Sequence, residues 1–360
     1  MPSFGLEHFE SSDDRVPERM WLDASARLNN AELLPHEFSH SWCGKCRRPA
    51  GLATPDYGTP MRGELLWVYE GLDEYLGWLL AGRCGSRSRQ ESLDNLADVA
   101  ARMEASRGRD WRPLEDTAVE ASRLYESRGQ WAMARRGVDF YAEGLLVWLE
   151  ADVKIRTLTQ DRKSLDDFCR RFFGGDGAPR IVPFREADVV AALVAVCPFD
   201  WAGFLDERIR RVQPHAPVAG ILEGGWTPAW TDTATDDWRA REAVDETVDE
   251  RHSIGLVLES KTGALTDVVP GSAADRAGIV PDMTLVAVNA RAWTPEILRE
   301  AIRRDRDGEP LELLLRSGDF YRTCRVEDRG GLRYPKLARA EGTPDRVGAI
   351  LEPRTPVTTR

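Results

Sequence analysis

Apolar positions over the first 175 residues recur at helical rather than strand spacing. Ser88 and Glu91, three residues apart, form a capping box, and Leu93, Leu96, Ala100 and Met103 then share one face. A long pattern follows from about Asp139 to Leu158, with Leu145, Leu146, Leu149 and Val153 inward. Ser164 opens a further helix whose Leu165, Phe168 and Phe172 point inward and whose stop is Gly174-Gly175. Between His40 and Met61 the chain is punctuated by Gly44, Pro49, Gly51, Pro55, Gly58 and Pro60, the texture of a loop. Residues 186–211 give one more helical stretch. After residue 252 the period becomes strand-like, at Ile254–Leu258, Leu265–Val269, Thr284–Asn289 and Leu311–Leu315. One helix interrupts these strands, with Thr294 as its N-cap and Pro295 at its first position.

Between the two textures, Thr231–Arg251 carries eight acids against three arginines and reads as a solvated acidic connector. It supplies part of the formal net charge of −11, which comes from 49 Lys+Arg against 60 Asp+Glu. That balance argues against binding a phosphate backbone, so no nucleic-acid partner is expected. The longest uninterrupted apolar stretch, Val189–Cys197, is nine residues, far below the roughly 20 that a membrane helix needs. A chain of 360 residues exceeds what one core usually serves, so a multidomain α+β protein is expected.

The chemistry concentrates in His36-Glu37-Phe38-Ser39-His40. Histidines four apart on a helix lie on one face, so both imidazoles can reach a single tetrahedral ion. Glu37 projects beside them, where a carboxylate can take a proton from water activated by a metal. Pro35 predicts a bend or a helix start close by. A zinc hydrolase needs a third ligand, and a helix through Trp67–Tyr75 would offer one. On residue type alone Glu64, Glu70, Asp73 and Glu74 all qualify. Cys43-Gly44-Lys45-Cys46 has the short spacing of half a zinc site, but Cys84, Cys169, Cys197 and Cys324 are isolated, so two ordinary thiols are expected there.

These motifs resemble those of the glycyl aminopeptidase family of gluzincin zinc metallopeptidases, which pair a catalytic domain with a C-terminal PDZ domain. His36-Glu37-x-x-His40 with Trp42 and Arg47-Arg48-Pro49 is similar to the family's H-E-x-x-H-x-W and its sequel. Trp67-Val68-Tyr69-Glu70-Gly71 is similar to its W-x-x-E-G, and the resemblance implies Glu70 as third ligand to one Zn2+ per chain. Tyr141-Ala142-Glu143-Gly144 resembles the Y-x-x-G whose phenol faces the metal, implying that Tyr141 assists the oxyanion. Gly5-Leu6-Glu7-His8 resembles the family's G-L-E-H strand, implying that Glu7 holds the substrate's free ammonium. Departures from the pattern are Cys43 where the family usually carries Asn, and the acidic stretch Gly71–Glu74 in place of a more neutral one. Family members also carry a β-rich domain ahead of G-L-E-H. This chain starts four residues before it, so the expectation is a catalytic domain entered midway, with the strand Phe4–His8 left as an unpaired edge. The start as encoded has no leader and points to the cytoplasm; further sequence upstream would open the periplasm or secretion.

Residues 253–330 resemble the PDZ domains of this family and of bacterial heat-shock proteases, through Gly271-Ser272-Ala273-Ala274-Asp275-Arg276-Ala277-Gly278 and the strand Met283–Asn289. Ile254, Gly255 and Leu256 would then line a groove in which a peptide C-terminus adds as a strand. The expected organisation is a gluzincin-like domain over 1–175, a helical extension and acidic linker over 176–252, a PDZ-like domain over 253–330 and a tail over 331–360. The expected function is a zinc aminopeptidase removing small N-terminal residues, Gly or Ala, from peptides. The alternatives are a catalytically silent PDZ peptide-binding protein and a zinc endopeptidase.

Overall fold

A computed structural model describes residues 3–126, 131–175 and 180–354. The opening segment pairs with itself: Phe4 and Leu6 exchange backbone hydrogen bonds with Arg15 and Asp13 in a narrow antiparallel hairpin. The expected open edge at Phe4–His8 is therefore covered by the residues that follow it. Helix α1 (Ala24–Asn30) leads into α2 (Leu33–Ser39), which carries the histidine motif. Pro35 sits in the first turn of α2, where a missing amide costs least, and His36 N still bonds to Glu32 O at 2.9 Å. The loop beyond contributes a short strand, β1 (Arg47–Pro49), which pairs in parallel with β2 (Val182–Phe184).

The long helix α3 (Leu66–Cys84) is buried on nearly every side and forms the axis of the helical body. Helix α4 (Arg89–Ala105) starts at the Ser88–Glu91 capping box, as its sequence predicts, and buries Leu93, Leu96, Ala100 and Met103. Three short helices, α5 (Leu114–Val119), α6 (Ala121–Glu126) and α7 (Ala132–Arg135), bridge to α8 (Ala142–Thr159). Along the contact of α3 with α8, Trp67 stacks on Trp148 with ring centroids 5.9 Å apart, and the Trp148 indole donates to Trp67 O at 3.0 Å. Helix α9 (Leu165–Phe173) begins at Ser164 and ends at Gly174. The predicted run 186–211 is broken at Pro198 into α10 (Glu186–Val196) and α11 (Trp201–Leu205), because proline removes the donor that a continuing helix needs. Helix α12 (Ala219–Glu223) then packs on α8.

The acidic run departs from expectation. Thr235 caps a helix, α13 (Asp236–Asp245), and the chain continues into β4 (Thr247–Glu250) after β3 (Trp226–Thr231). Asp237, Glu242, Asp249 and Glu250 are buried, so the segment is structure rather than a solvated connector. Their charges are met by arginines: Arg299 reaches Glu242 and Glu250 at 2.6 and 2.7 Å, while Arg241 and Arg251 hold Asp249 at 3.0 and 2.8 Å.

The C-terminal part has its own apolar core, including Val248, Leu256, Leu258, Leu285, Leu298, Ile302 and Leu313. Strands β5 (Leu256–Glu259) and β6 (Leu265–Val268) form a three-stranded antiparallel sheet with β4, in the order β4-β5-β6. The short helix α14 (Ala273–Arg276) precedes β7 (Thr284–Val288) and β8 (Arg291–Ala292). Helix α15 (Pro295–Arg306) starts at Thr294, whose hydroxyl accepts from Ile297 N, and β9 (Leu311–Ser317) and β10 (Phe320–Val326) complete a second sheet in the order β10-β9-β7-β8. The tail is no appendage, since β11 (Tyr334–Arg339) returns to pair with β3. Helix α16 (Arg346–Leu351) then buries Val347, Ile350 and Leu351 in the core of the helical body. Residues 355–360 of the tail lie outside the described residues. No helix among the described residues is long and apolar enough to cross a membrane.

Candidate metal centre

The fold brings three side chains from two crossing helices to one point. His36 Nε2 and His40 Nε2, both on the turns of α2, are 3.0 Å apart. Glu70 Oε2, from the first turns of α3, lies 3.5 Å from the first and 3.4 Å from the second. Donors at the bond lengths of a tetrahedral zinc are separated by about 3.3 Å, so the three atoms are spaced as the edges of such a site. His40 Nδ1 lies 3.0 Å from the Cys43 carbonyl oxygen, to which an Nδ1 proton would donate, so Nε2 is the nitrogen turned toward Glu70 and a cation. Asp73 Oδ2 also stands 2.5 Å from His40 Nδ1, as an ion-pair contact; the carbonyl is the partner aligned for a hydrogen bond. His36 Nδ1 faces Glu74 Oε2 at 3.4 Å, likewise without hydrogen-bond alignment.

The electrostatics point the same way. Burial pulls the His36 imidazolium down, but the Glu70 and Glu74 carboxylates more than offset it and hold the group at about 10. Burial acts against the charge on His40 too, and Asp73 with Glu70 raises it well above the usual histidine range. Burial raises the Glu70 carboxyl, and its two histidine partners overcome that and pull it to about 2. A buried group of carboxylates that holds two imidazoles charged is a site short of positive charge, which is what a divalent cation supplies. Sequence type alone left four acids open as third ligand. Glu64 is excluded by its place, at the surface and paired with Arg62 at 2.8 Å.

Glu37 is buried beside the ligands, and its Oε2 has no hydrogen-bond partner. Burial raises its pKa, with His36 and His40 partly opposing. The opening hairpin lies against it, so closely that a β-carbon at Gly5 would come 2.1 Å from Glu37 Oε1. From the same hairpin Glu7 reaches the centre, and its carboxylate comes together with the Glu37 carboxylate and the His40 imidazole in a second potential donor group. Glu7 is already engaged: the Tyr69 hydroxyl donates to it and Lys45 Nζ lies 3.1 Å away. Burial raises its pKa, and the Tyr69 hydrogen bond with the His40 and Lys45 charges takes it below the ordinary value.

Tyr141 stands at the N-cap of α8, with its ring centroid 6.1 Å from that of His36. Its hydroxyl accepts a 2.5 Å hydrogen bond from Tyr125, and burial together with Glu70 raises its pKa, so the phenol keeps its proton. The Cys43 thiol is buried and points at the carbonyls of Val68 and Tyr69, at 3.5 and 3.7 Å. The potential metal groups among the described residues are His36-His40-Glu70 and Glu7-Glu37-His40. A cleft of about 1060 Å³ runs from Ser41 and Trp42 past Arg47 to Phe172 and Ala192. It abuts the end of α2 but includes none of the three ligands.

Sequence reasoning missed four residues that shape the centre: Tyr69 and Lys45, which hold Glu7, Tyr125, which bonds Tyr141, and Asp73 in its role behind His40. Asp73 alone gave a signal, as one of the acids, with Glu70 and Glu74, on the helix expected to supply the third ligand. Farther away, Ile254 and Leu256 are buried and Gly255 adopts φ +92°. Strand β5, which starts at Leu256, is paired on both edges, by β4 and by β6. Among the described residues, the strand edge expected to receive a peptide is therefore already paired within the chain.

Residues 29–147 match the model of the M61 glycyl aminopeptidase family. Comparison with curated proteins gives no match. Among solved structures, the chain is similar to an aminopeptidase N family protein from Idiomarina loihiensis, with a TM-score of 0.76 and 17% identity. The match covers 98% of this chain and 60% of that one, so the chain spans three-fifths of its structural neighbour's length. At that identity the likeness is one of fold.

Proposed function

We propose that this chain, which belongs to the glycyl aminopeptidase family through residues 29–147, is a zinc-dependent aminopeptidase removing N-terminal Gly or Ala from peptides. The observation that carries this reading is the convergence of His36 Nε2, His40 Nε2 and Glu70 Oε2 within 3.0–3.5 Å of one another. These residues would hold one Zn2+ ion per chain, with an open position left for water and substrate. The chemistry such an ion supplies when bound is Lewis acidity, which acidifies water and polarises a peptide carbonyl. Glu37 receives the proton of the attacking water at its unpartnered Oε2 and then delivers it to the leaving amine. Its burial raises its basicity toward that task. The Tyr141 hydroxyl, kept protonated by its surroundings, donates to the carbonyl oxygen as negative charge develops there. Glu7 takes the substrate's free ammonium in place of Lys45 and so sets the register of cleavage.

One observation favours an endopeptidase instead. The Lys45 ammonium already stands 3.1 Å from Glu7, where the substrate's amine would have to go. The two readings separate in one assay of the full chain. Gly- and Ala-p-nitroanilide and an N-blocked peptide are compared with Zn2+ and after chelation. Turnover of the free-amine substrates, lost on chelation and restored by Zn2+, is expected. Turnover of the blocked peptide alone would overturn exopeptidase action, and turnover of neither would leave a catalytically silent protein.

A further inference from the structure

Strand β4 lies on β5 as a bound ligand would. The pairing is antiparallel with Thr247 opposite Glu259, Val248 opposite Leu258, Asp249 opposite Val257 and Glu250 opposite Leu256. β6 occupies the other edge of β5. At the Glu250 end the chain turns sharply, and three consecutive amides point at one oxygen. Ser253 N, Ile254 N and Gly255 N donate to Glu250 O at 3.2, 3.0 and 3.0 Å. Clustered backbone amides at the head of a strand are the means by which a loop captures the carboxylate of an extended peptide. Here an internal carbonyl oxygen takes that place.

The side chains complete the fit. Val248 is buried in the C-terminal core with Leu256, Leu258, Leu298 and Ile302. Glu250 is almost wholly buried yet fully engaged: Oε1 accepts from Arg299 Nε of α15 at 2.7 Å and from the Tyr334 hydroxyl at 3.2 Å. Its Oε2 accepts from Ser253 Oγ at 2.8 Å. Arg299 thereby ties β4 to α15 and also grips Glu242 of α13.

We propose that Thr247–Glu250 is a built-in ligand, paired to the edge of β5 and tied to α15 through Arg299, which closes this domain to the C-termini of other peptides. The same segment is also the joint to the helical body. Arg241 of α13 bridges Asp249 of β4 to Asp98 of α4, at 3.0 and 3.3 Å. Asn29 Nδ2 donates to Ala240 O at 2.7 Å, and Arg87 pairs with Asp237 at 3.4 Å. Vacating the groove therefore means loosening the contact between the two cores.

Two measurements on the full chain test this. Hydrogen exchange followed by mass spectrometry should show 247–250 protected together with 256–268. Exchange of 247–250 at the rate of exposed chain, with 265–268 still protected, would overturn the proposal. Fluorescence anisotropy with a labelled peptide ending in a free-carboxylate valine should show no saturable binding to the unaltered chain. Saturable binding there that the C-terminally amidated peptide lacks would overturn it. Val248→Asp, which ejects the strand, should gain binding of the free-carboxylate peptide by at least about tenfold. Should that variant not fold, Arg299→Gln, which removes only the tie to Glu250 and Glu242, replaces it. A folded variant with 247–250 unprotected and still no binding would show that no ligand groove lies beneath the strand.

Discussion

Gly71 and Gly144 meet backbone to backbone where α3 crosses α8: a β-carbon at Gly144 would fall 2.6 Å from Gly71 Cα, and one at Gly71 would fall 2.7 Å from Phe140 O. Each glycine follows a site residue, Glu70 directly and Tyr141 by three positions. The close crossing therefore sets how far the third ligand stands from the phenol opposite. Neither obstacle is a flexible side chain, so Gly144→Ala must move one helix. The expected cost is about 1–3 kcal/mol of stability, as for other overpacked cores. A displaced Tyr141 should also lower kcat more than that stability loss explains. Urea denaturation beside steady-state kinetics checks this, and an unchanged denaturation midpoint would show that the helices have room to spare.

The carboxylate behind His40 should act on metal affinity rather than on folding. Asp73 is wholly buried, and its Oδ2 is 2.5 Å from His40 Nδ1. Carboxylates behind ligating histidines typically contribute 10- to 100-fold in affinity, so Asp73→Asn should weaken zinc binding by about tenfold or more. Burial raises the Asp73 carboxyl, with the His40 charge opposing. A neutral isostere should therefore leave the metal-free protein at least as stable. Competition with a fluorescent chelator, together with thermal melts of the metal-free form, reads both quantities. Unaltered affinity would mean that the Cys43 carbonyl alone orients the ring.

The legible parts of this molecule are those whose meaning is local. The histidine pair needs only helical spacing, and the Ser88 and Thr294 caps need only three residues of context. Asp73 could not be read in the same way, because its role depends on α2 lying across α3. The acidic run misled for a related reason. Its charges look solvated along the chain, yet Arg299 arrives from about fifty positions away to meet Glu242 and Glu250. The β5 groove shows the same limit: the residues for a strand are plain, but which strand lies beside it depends on a register no single segment contains.

Glu37 and Tyr141 should separate in a mutational comparison. Glu37→Gln keeps shape and size, so zinc should stay bound while kcat/KM falls by about 10²–10⁴, the range for a lost general base. Tyr141→Phe removes one donor to the oxyanion and should cost about 10²–10³ in kcat with little change in KM. Its partner Tyr125 is exposed enough to bond water instead, so the melting temperature should hardly move. Zinc content by atomic absorption beside p-nitroanilide kinetics tests both variants. Full turnover by Glu37→Gln would refute its assignment as base.

His252 gives stability a pH dependence of known sign. The half-buried ring sits between Trp230 and Trp238, with centroids 5.1 and 5.7 Å away, and its Nε2 has no hydrogen-bond partner. Burial and the neighbouring Arg251 charge outweigh the pull of Asp249, and bring its pKa from 6.5 to about 3. In that window the unfolded chain binds a proton that the folded chain refuses, so stability falls as pH drops from 6.5 toward 3. The contribution is at most about 1.4 kcal/mol per pH unit, and above pH 6.5 it vanishes. Asp249, held low by Arg251 and Arg241 against its burial, adds a slope of the same sign at lower pH. Only the difference between the unaltered chain and His252→Gln isolates the histidine. Urea midpoints measured between pH 4.5 and 7.5 should show the difference shrinking to a constant above about pH 6.5. A difference that does not vary with pH would mean that the ring takes up its proton in the folded state as readily as in water.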